Sequence, residues 1–162
     1  MPANPSANFF EIGIDHPAHD ENIGTLWRSA YQLGAAGIFT IGKQKKRQHS
    51  DTVKTWQHIP LRSYNNFDHL HDSIPFGTRL VAVEIGGTPL NEFKHPERCL
   101  YLLGSEHTGI APSNLSRCHH VISIESVRKQ SFNVAVAGSL VMYSRWLQFA
   151  GNEPFNPGNI PN

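Results

Sequence analysis

The chain has 162 residues, 39% of them apolar, and a formal net charge of +1. That length buries one good core and is too short for two, while apolar blocks such as Cys99–Leu103 argue against disorder. No apolar run approaches the roughly 20 residues that cross a bilayer, and the first eight residues lack a basic start and an apolar core, so a soluble, cytoplasmic protein is expected.

Phe9–Ile14 reads as a strand. Asp20 or Asn22 then caps a helix whose apolar positions include Ile23, Leu26, Trp27, Ala30 and Leu33, with Gly34 and Gly37 as its stop. Ile38–Ile41 is a short buried-type strand ended by Gly42, and a basic loop follows directly, with Lys43, Lys45, Lys46 and Arg47 in five residues. Such a run serves either phosphate contact or mere solvation. Ile59–Tyr64 reads as a further strand, Phe67–Asp72 as a short helix, and Leu80–Ile85 as an apolar strand closed by Gly86, Gly87 and Pro89. Cys99–Leu103 repeats that pattern. Pro112–Cys118 reads as a helix, Val121–Ile124 as the last strand, and Ser131–Phe149 as the longest helix, with Ala135, Gly138, Ser139 and Met142 forming a small-residue stripe. Residues 1–150 are thus one α/β domain with a mostly parallel sheet flanked by helices, whose ligands bind beyond the carboxyl ends of the strands. The tail, 151–162, is rich in Pro, Gly and Asn and is expected to be extended.

Three polar, glycine-bearing motifs lie where elements end: Asn22-Ile-Gly24 through Arg28, Gly104-Ser-Glu106 through Gly109-Ile110, and Ser131-Phe-Asn133. Any of Gly86, Gly87 and Gly104 alone reads as a turn after a strand, a lone Arg as paired with a helix-face carboxylate, and a lone Glu as a surface residue. Ser131 is well explained as a helix cap, whereas Asn133 in a first helical turn is not, since Asn is a poor interior residue.

Together, in this order and near these separations, the motifs resemble those of the SpoU-type (TrmH-like) ribose 2′-O-methyltransferases of the SPOUT superfamily. The resemblance runs from Phe9 to about Phe149. It implies a SPOUT fold with a deep trefoil knot in the C-terminal half, an S-adenosylmethionine cofactor, an RNA substrate with tRNA favoured over rRNA, and a homodimer in which Arg28 serves the partner's cofactor. It implies catalytic roles for Asn22, Arg28, Glu106, Ser131 and Asn133. Cofactor contacts, mostly main-chain, are implied for Val83, Glu84, Gly86, Leu103, Gly104, Ser105, Ile124, Ser131 and Val134. RNA contacts fall to Arg28, Lys43, Lys45, Lys46, Arg47 and Arg128. Arg28 suits orienting the ribose hydroxyl and clamping a phosphate, because a guanidinium with a pKa above about 12 is a demanding proton acceptor. Between Ile124 and Ser131 the chain lacks the Pro and Gly of the family pattern, is one residue short, and carries Arg128 and Lys129 instead.

The alternative is a non-catalytic RNA-binding module that keeps the knotted fold. The base-methylating branch of the superfamily lacks this motif combination. The ten histidines include three pairs, His16/His19, His69/His71 and His119/His120, but none has the carboxylate or thiolate spacing of a metal site. Cys99 and Cys118 form no Cys-x-x-Cys pair and are expected as reduced thiols. Trp56 and the Ser50–Thr52 segment before it resemble a stretch after the second strand in relatives.

Overall fold

The computed structural model describes residues 8–42 and 58–150. Lys43, Lys45, Lys46, Arg47, the Ser50–Thr52 and Trp56 segment, and the 151–162 tail lie outside the described residues. In chain order the elements are β1 (Phe9–Asp15), α1 (Asp20–Gln32), β2 (Gly37–Ile41), β3 (Leu61–Tyr64), α2 (Phe67–Asp72), β4 (Arg79–Pro89), β5 (Arg98–Leu103), α3 (Pro112–Leu115), β6 (His120–Ser123) and α4 (Val134–Ala150).

The six strands form one sheet in the order β3-β2-β1-β5-β4-β6, and every ladder is parallel. Parallel strands need helical crossovers, so both sheet faces are covered and both are apolar. Alternation along the strands sorts the core. Phe10, Ile12 and Ile14 of β1 join Cys99, Tyr101 and Leu103 of β5 beneath α1 and α4, while Leu100 and Leu102 face the other way with Phe39, Ile41, Phe67 and Leu70. Each such fully buried aliphatic side chain contributes about 1.5–3 kcal/mol.

Two glycines set the closeness of this packing. A methyl group at Gly13 would sit 2.2 Å from the Phe39 ring, and one at Gly138 would sit 2.5 Å from Leu26 Cδ1 and 3.0 Å from Leu103 Cδ1. Gly138 therefore lets α4 lie directly on α1, where the Ser139 hydroxyl donates to the Ala135 carbonyl and lies 2.9 Å from the Ser29 hydroxyl. Arg145, on the core face of α4 at 2% exposure, extends between the Phe10 and Phe149 rings and donates to the Pro96 and Glu97 carbonyls and to Asn8 Oδ1. Next to it His95 contacts the Tyr101 hydroxyl at 2.6 Å and Ser144 Oγ at 3.0 Å. Burial, with the Arg145 charge second, lowers the His95 pKa to about 4.

The architecture agrees with the sequence reading; several boundaries do not. Gly86 and Gly87 do not close β4, because the ladder to β6 resumes after them: Val83 and Thr88 both pair with Ile122. Residues 84–87 thus bulge from an otherwise continuous strand. The helix expected over Pro112–Cys118 ends at Leu115, and α4 starts three residues later than Ser131. The knotted threading that the resemblance implies is not visible in the described residues. No described helix is long and apolar enough to cross a membrane. Burial pushes the thiols of Cys99 and Cys118, both free, up to about 11.

Candidate active site

The carboxyl ends of β1 and β5 and the start of α4 bring the three motifs into one hydrogen-bonded junction. Asn22 Nδ2 donates to Glu106 Oε1 at 2.6 Å, and Asn133 Nδ2 donates to Asn22 Oδ1 at 3.0 Å. Glu106 Oε2 accepts from the Ala18 backbone N–H at 3.0 Å, just ahead of α1. Asn133 Oδ1 accepts from the backbone N–H groups of Ala135 and Val136 at 2.9 and 3.2 Å. Asn133 is therefore the cap of α4, the role expected of Ser131, which is instead exposed and carries no capping bond among the described residues. Neither Asp20 nor Asn22 caps α1. That helix begins at Asp20 behind His19, which makes no side-chain cap bond.

The cap gives the junction a direction. Two helix N–H donors require the oxygen of Asn133, so its nitrogen must point to Asn22. Asn22 must then offer its oxygen there and its nitrogen to residue 106. Residue 106 thus faces two donors, and a carboxylate satisfies both. Burial raises the Glu106 pKa, but bonds from Ala18, its own backbone and Asn22, with the nearby His19, outweigh this and leave it below the usual carboxylate value of 4.5.

The loop carrying Glu106 is braced from β4. Ser105 and Gly109 form an antiparallel bridge, and Gly109, at φ +64°, donates to the Ser105 carbonyl. A methyl group at Gly104 would come within 2.8 Å of the Gly109 backbone. The close approach that Gly104 permits is thus to its own loop. Glu84 Oε2 accepts from the Ile110 N–H and Glu84 Oε1 from the Ile85 N–H, both at 3.0 Å. The Glu84 carboxylate, expected near the cofactor, ties β4 to the Glu106 loop.

Beside the junction the bulge of β4 and the loop after β6 enclose two adjoining cavities. One, of about 310 Å³, is lined by Gly86, Gly87, Ser123, Ile124 and Lys129 among others. The other, of about 100 Å³, is lined by Val83, Glu84, Ser131 and Phe132, and both share Ile85, Ile124 and Gln130. Gly86 sits at φ +91°, a conformation that favours glycine. Of the expected cofactor residues, Val83, Glu84, Gly86, Ile124 and Ser131 line these cavities. Leu103, Gly104, Ser105 and Val134 do not, and the Leu103 and Val134 side chains belong to the core. Gln130 and Lys129 were legible only as members of a loop.

Arg28 is exposed on α1 and makes no hydrogen bond or ion pair among the described residues. Lying six residues beyond Asn22 on one helix, it projects from a different face, so one chain does not join it to the junction. Arg128 is exposed in the loop before α4. One member of each of two histidine pairs accepts a backbone bond: His69 Nδ1 from the Asn65 N–H and His119 Nδ1 from the Leu80 N–H, 39 residues away. Among the described residues, no three His, Cys, Asp or Glu side chains gather as metal ligands.

An all-parallel α/β sheet with a polar junction and a cavity at its carboxyl edge defines a ligand-binding α/β protein. The SpoU rRNA methylase family matches residues 10–143, and the chain belongs to that family. An uncharacterized tRNA/rRNA methyltransferase of Mycobacterium avium (strain 104) is 25% identical over 141 residues, covering 81% of this chain and 45% of that protein. The chain thus spans less than half the length of such curated relatives. The SpoU methyltransferase AviRb from Streptomyces viridochromogenes, in complex with AdoMet, superposes with a TM-score of 0.79 at 22% identity, over 94% of this chain and 64% of that one. A structure concerned with 2-OH methylation of C/U34 on tRNA superposes at 0.78 with 24% identity, over 90% of this chain and 99% of that one.

Proposed function

We propose that the protein transfers a methyl group from S-adenosylmethionine to a ribose 2′-OH of RNA, with tRNA favoured over rRNA. The observation that carries this reading is the junction of Asn22, Glu106 and Asn133, which ties the three family motifs together beside the cavity. The cavity fits the cofactor: Val83, Ile85, Ile124 and Phe132 offer an apolar wall, Gly86 and Gly87 allow close approach, and Glu84, Ser123, Gln130 and Ser131 offer polar groups. Bound there, the sulfonium supplies an electrophilic methyl group. The chain's own residues hold the walls and position the acceptor. Glu84 and Glu106 fix the two loops, and Arg28 orients the ribose hydroxyl and neutralises an adjacent phosphate. The match of nearly the whole tRNA-associated structure by this single domain favours tRNA.

The working unit in this reading is a homodimer. Val136, Leu140, Tyr143 and Leu147 form an exposed apolar stripe at helical spacing along α4, between 38% and 52% exposed, and such a stripe calls for a partner. Burying it against a second copy brings the exposed Arg28 of one chain to the junction of the other. The basic loop with Lys43, Lys45, Lys46 and Arg47, together with Arg128, contributes RNA contacts.

Labelled methyl transfer to separate tRNA and rRNA pools lacking the modification, followed by alkaline hydrolysis, tests this. A 2′-O-methyl group blocks cleavage of the next phosphodiester, so label is expected in dinucleotides from tRNA. Label confined to mononucleotides means base methylation. Cofactor binding without transfer to either pool favours the RNA-binding module.

A further inference from the structure

At the carboxyl end of β1 the backbone adopts a conformation that the local sequence opposes. His16 has φ +50°, in the left-handed region that non-glycine residues rarely occupy. It also precedes Pro17, and a residue before proline is steered towards extended conformations. Its N–H closes the β1–β2 ladder on the Ile41 carbonyl. A glycine would make the same turn without strain, and the His16 side chain is 65% exposed, so burial does not account for the histidine.

What the strained backbone does is place an imidazole. Asp15, its side chain 8% exposed, holds Nδ1 of His16 at 2.6 Å. The other edge of the ring lies over Gly42, where a methyl group would come within 2.4 Å of Cδ2 and Nε2. The ring is thus clamped by a buried carboxylate below and a glycine, itself at φ +84°, beside it. This edge of the sheet is the one that carries the junction: two residues on, Ala18 donates to Glu106. The His19 and His107 rings meet there edge to face at 6.0 Å. In the strand order β1 and β2 lie on the side of β5 away from the β4–β6 cavity. A ligand reaching both His16 and the cavity must extend along the edge over several strands, which a polynucleotide does.

We propose that His16, oriented by Asp15, is a positioning residue for RNA, donating to a backbone phosphate of a nucleotide flanking the methylated one. The proposal rests on the reading of the site as an RNA methyltransferase. Strained residues persist where the surrounding structure over-determines them, and they concentrate at binding sites.

The full-length protein and its His16→Gly, His16→Ala and Arg28→Ala variants are compared for melting temperature, S-adenosylmethionine affinity, and affinity for bulk tRNA lacking the modification. His16→Gly is expected to melt no lower than the parent, because it removes the strain, and to keep cofactor affinity. Its tRNA affinity should fall about tenfold, the loss of one charge-assisted phosphate contact, with KM for tRNA rising and kcat little changed. His16→Ala should lose the same affinity and melt below His16→Gly, since alanine keeps the strain that glycine removes. If His16→Gly lowers the melting temperature and leaves tRNA affinity intact, the dyad is a structural turn and the proposal is overturned. If the parent neither binds nor methylates tRNA or rRNA, the enzymatic reading fails and this one with it. A parent that methylates RNA while both His16 variants bind it normally overturns the present inference alone.

Discussion

The direction of the Asn133–Asn22–Glu106 chain makes a double substitution more informative than either single one. In Glu106→Gln one of two donors, the Ala18 N–H or the Asn22 amide, meets an NH₂ group instead of oxygen. Turning Asn22 over relieves that contact but sets its nitrogen against that of Asn133, which cannot turn without uncapping α4, a loss of about 1 kcal/mol. A half-buried donor left unsatisfied costs about 1–3 kcal/mol, so Glu106→Gln should destabilise by about 2 kcal/mol. Asn133→Asp keeps the cap but sets a carboxylate oxygen against Asn22 Oδ1, and a similar loss is expected. Combined, the two reverse the chain: the new amide at position 106 donates to Asn22, Asn22 turns and donates to the new carboxylate at position 133, and that carboxylate still caps α4. Urea unfolding at pH 7 of the four proteins should therefore show a coupling of about 2 kcal/mol, with the double variant close to the parent. Additive losses, or a single Glu106→Gln variant as stable as the parent, would refute the polarity assigned to the junction.

Further outcomes follow from other features. Between pH 6.5 and about 4 the unfolded chain binds a proton at His95 that the folded chain refuses. Stability is therefore complete above pH 6.5 and falls with decreasing pH across that window, by at most about 3 kcal/mol, and His95→Gln should flatten that slope in urea titrations. Glu106 acts at lower pH: its depressed pKa contributes stability above 4.5 that is lost as pH falls through the folded value, a step absent from Glu106→Gln. Gly138→Ala should lose about 1 kcal/mol by thermal melting, crowding against Leu26 being partly offset by helix propensity, while Gly138→Leu should not fold. Leu140→Glu with Tyr143→Glu should give a monomer by analytical ultracentrifugation. Mixing Arg28→Ala and Asn133→Ala chains should restore about a quarter of parental activity, since half the dimers are mixed and each has one intact site; mixtures as inactive as their components would exclude shared sites.

The sheet and its helices were legible because apolar strands and amphipathic helices announce themselves by period. The loops that line the cavity were legible by resemblance and by their place after strands. What escaped the sequence depends on partners distant along the chain. Gly86-Gly87 reads as a stop, yet the ladder resumes because Ile122 offers a second register. Glu84 is expected beside the ligand and lines the cavity, but the bond its carboxylate accepts from an N–H 26 positions later follows from no local pattern. Asn133 stood out as unexplained by local rules, and the structure gives it both a local and a distant task. Arg145 belongs to none of the motifs; only its position three and four residues after Met142 and Val141, on the buried face, hints at its 2% exposure.

Residues 22, 106 and 133 are 84 and 111 positions apart across the two side-chain bonds that join them. Local contacts form early in folding and such distant ones late. A chain emerging from the ribosome therefore exposes its first strands long before α4 docks and the junction closes. Assembly of the junction thus waits on α4: Asn133 caps that helix and orients Asn22 with the same side chain, so a half-folded chain lacks it.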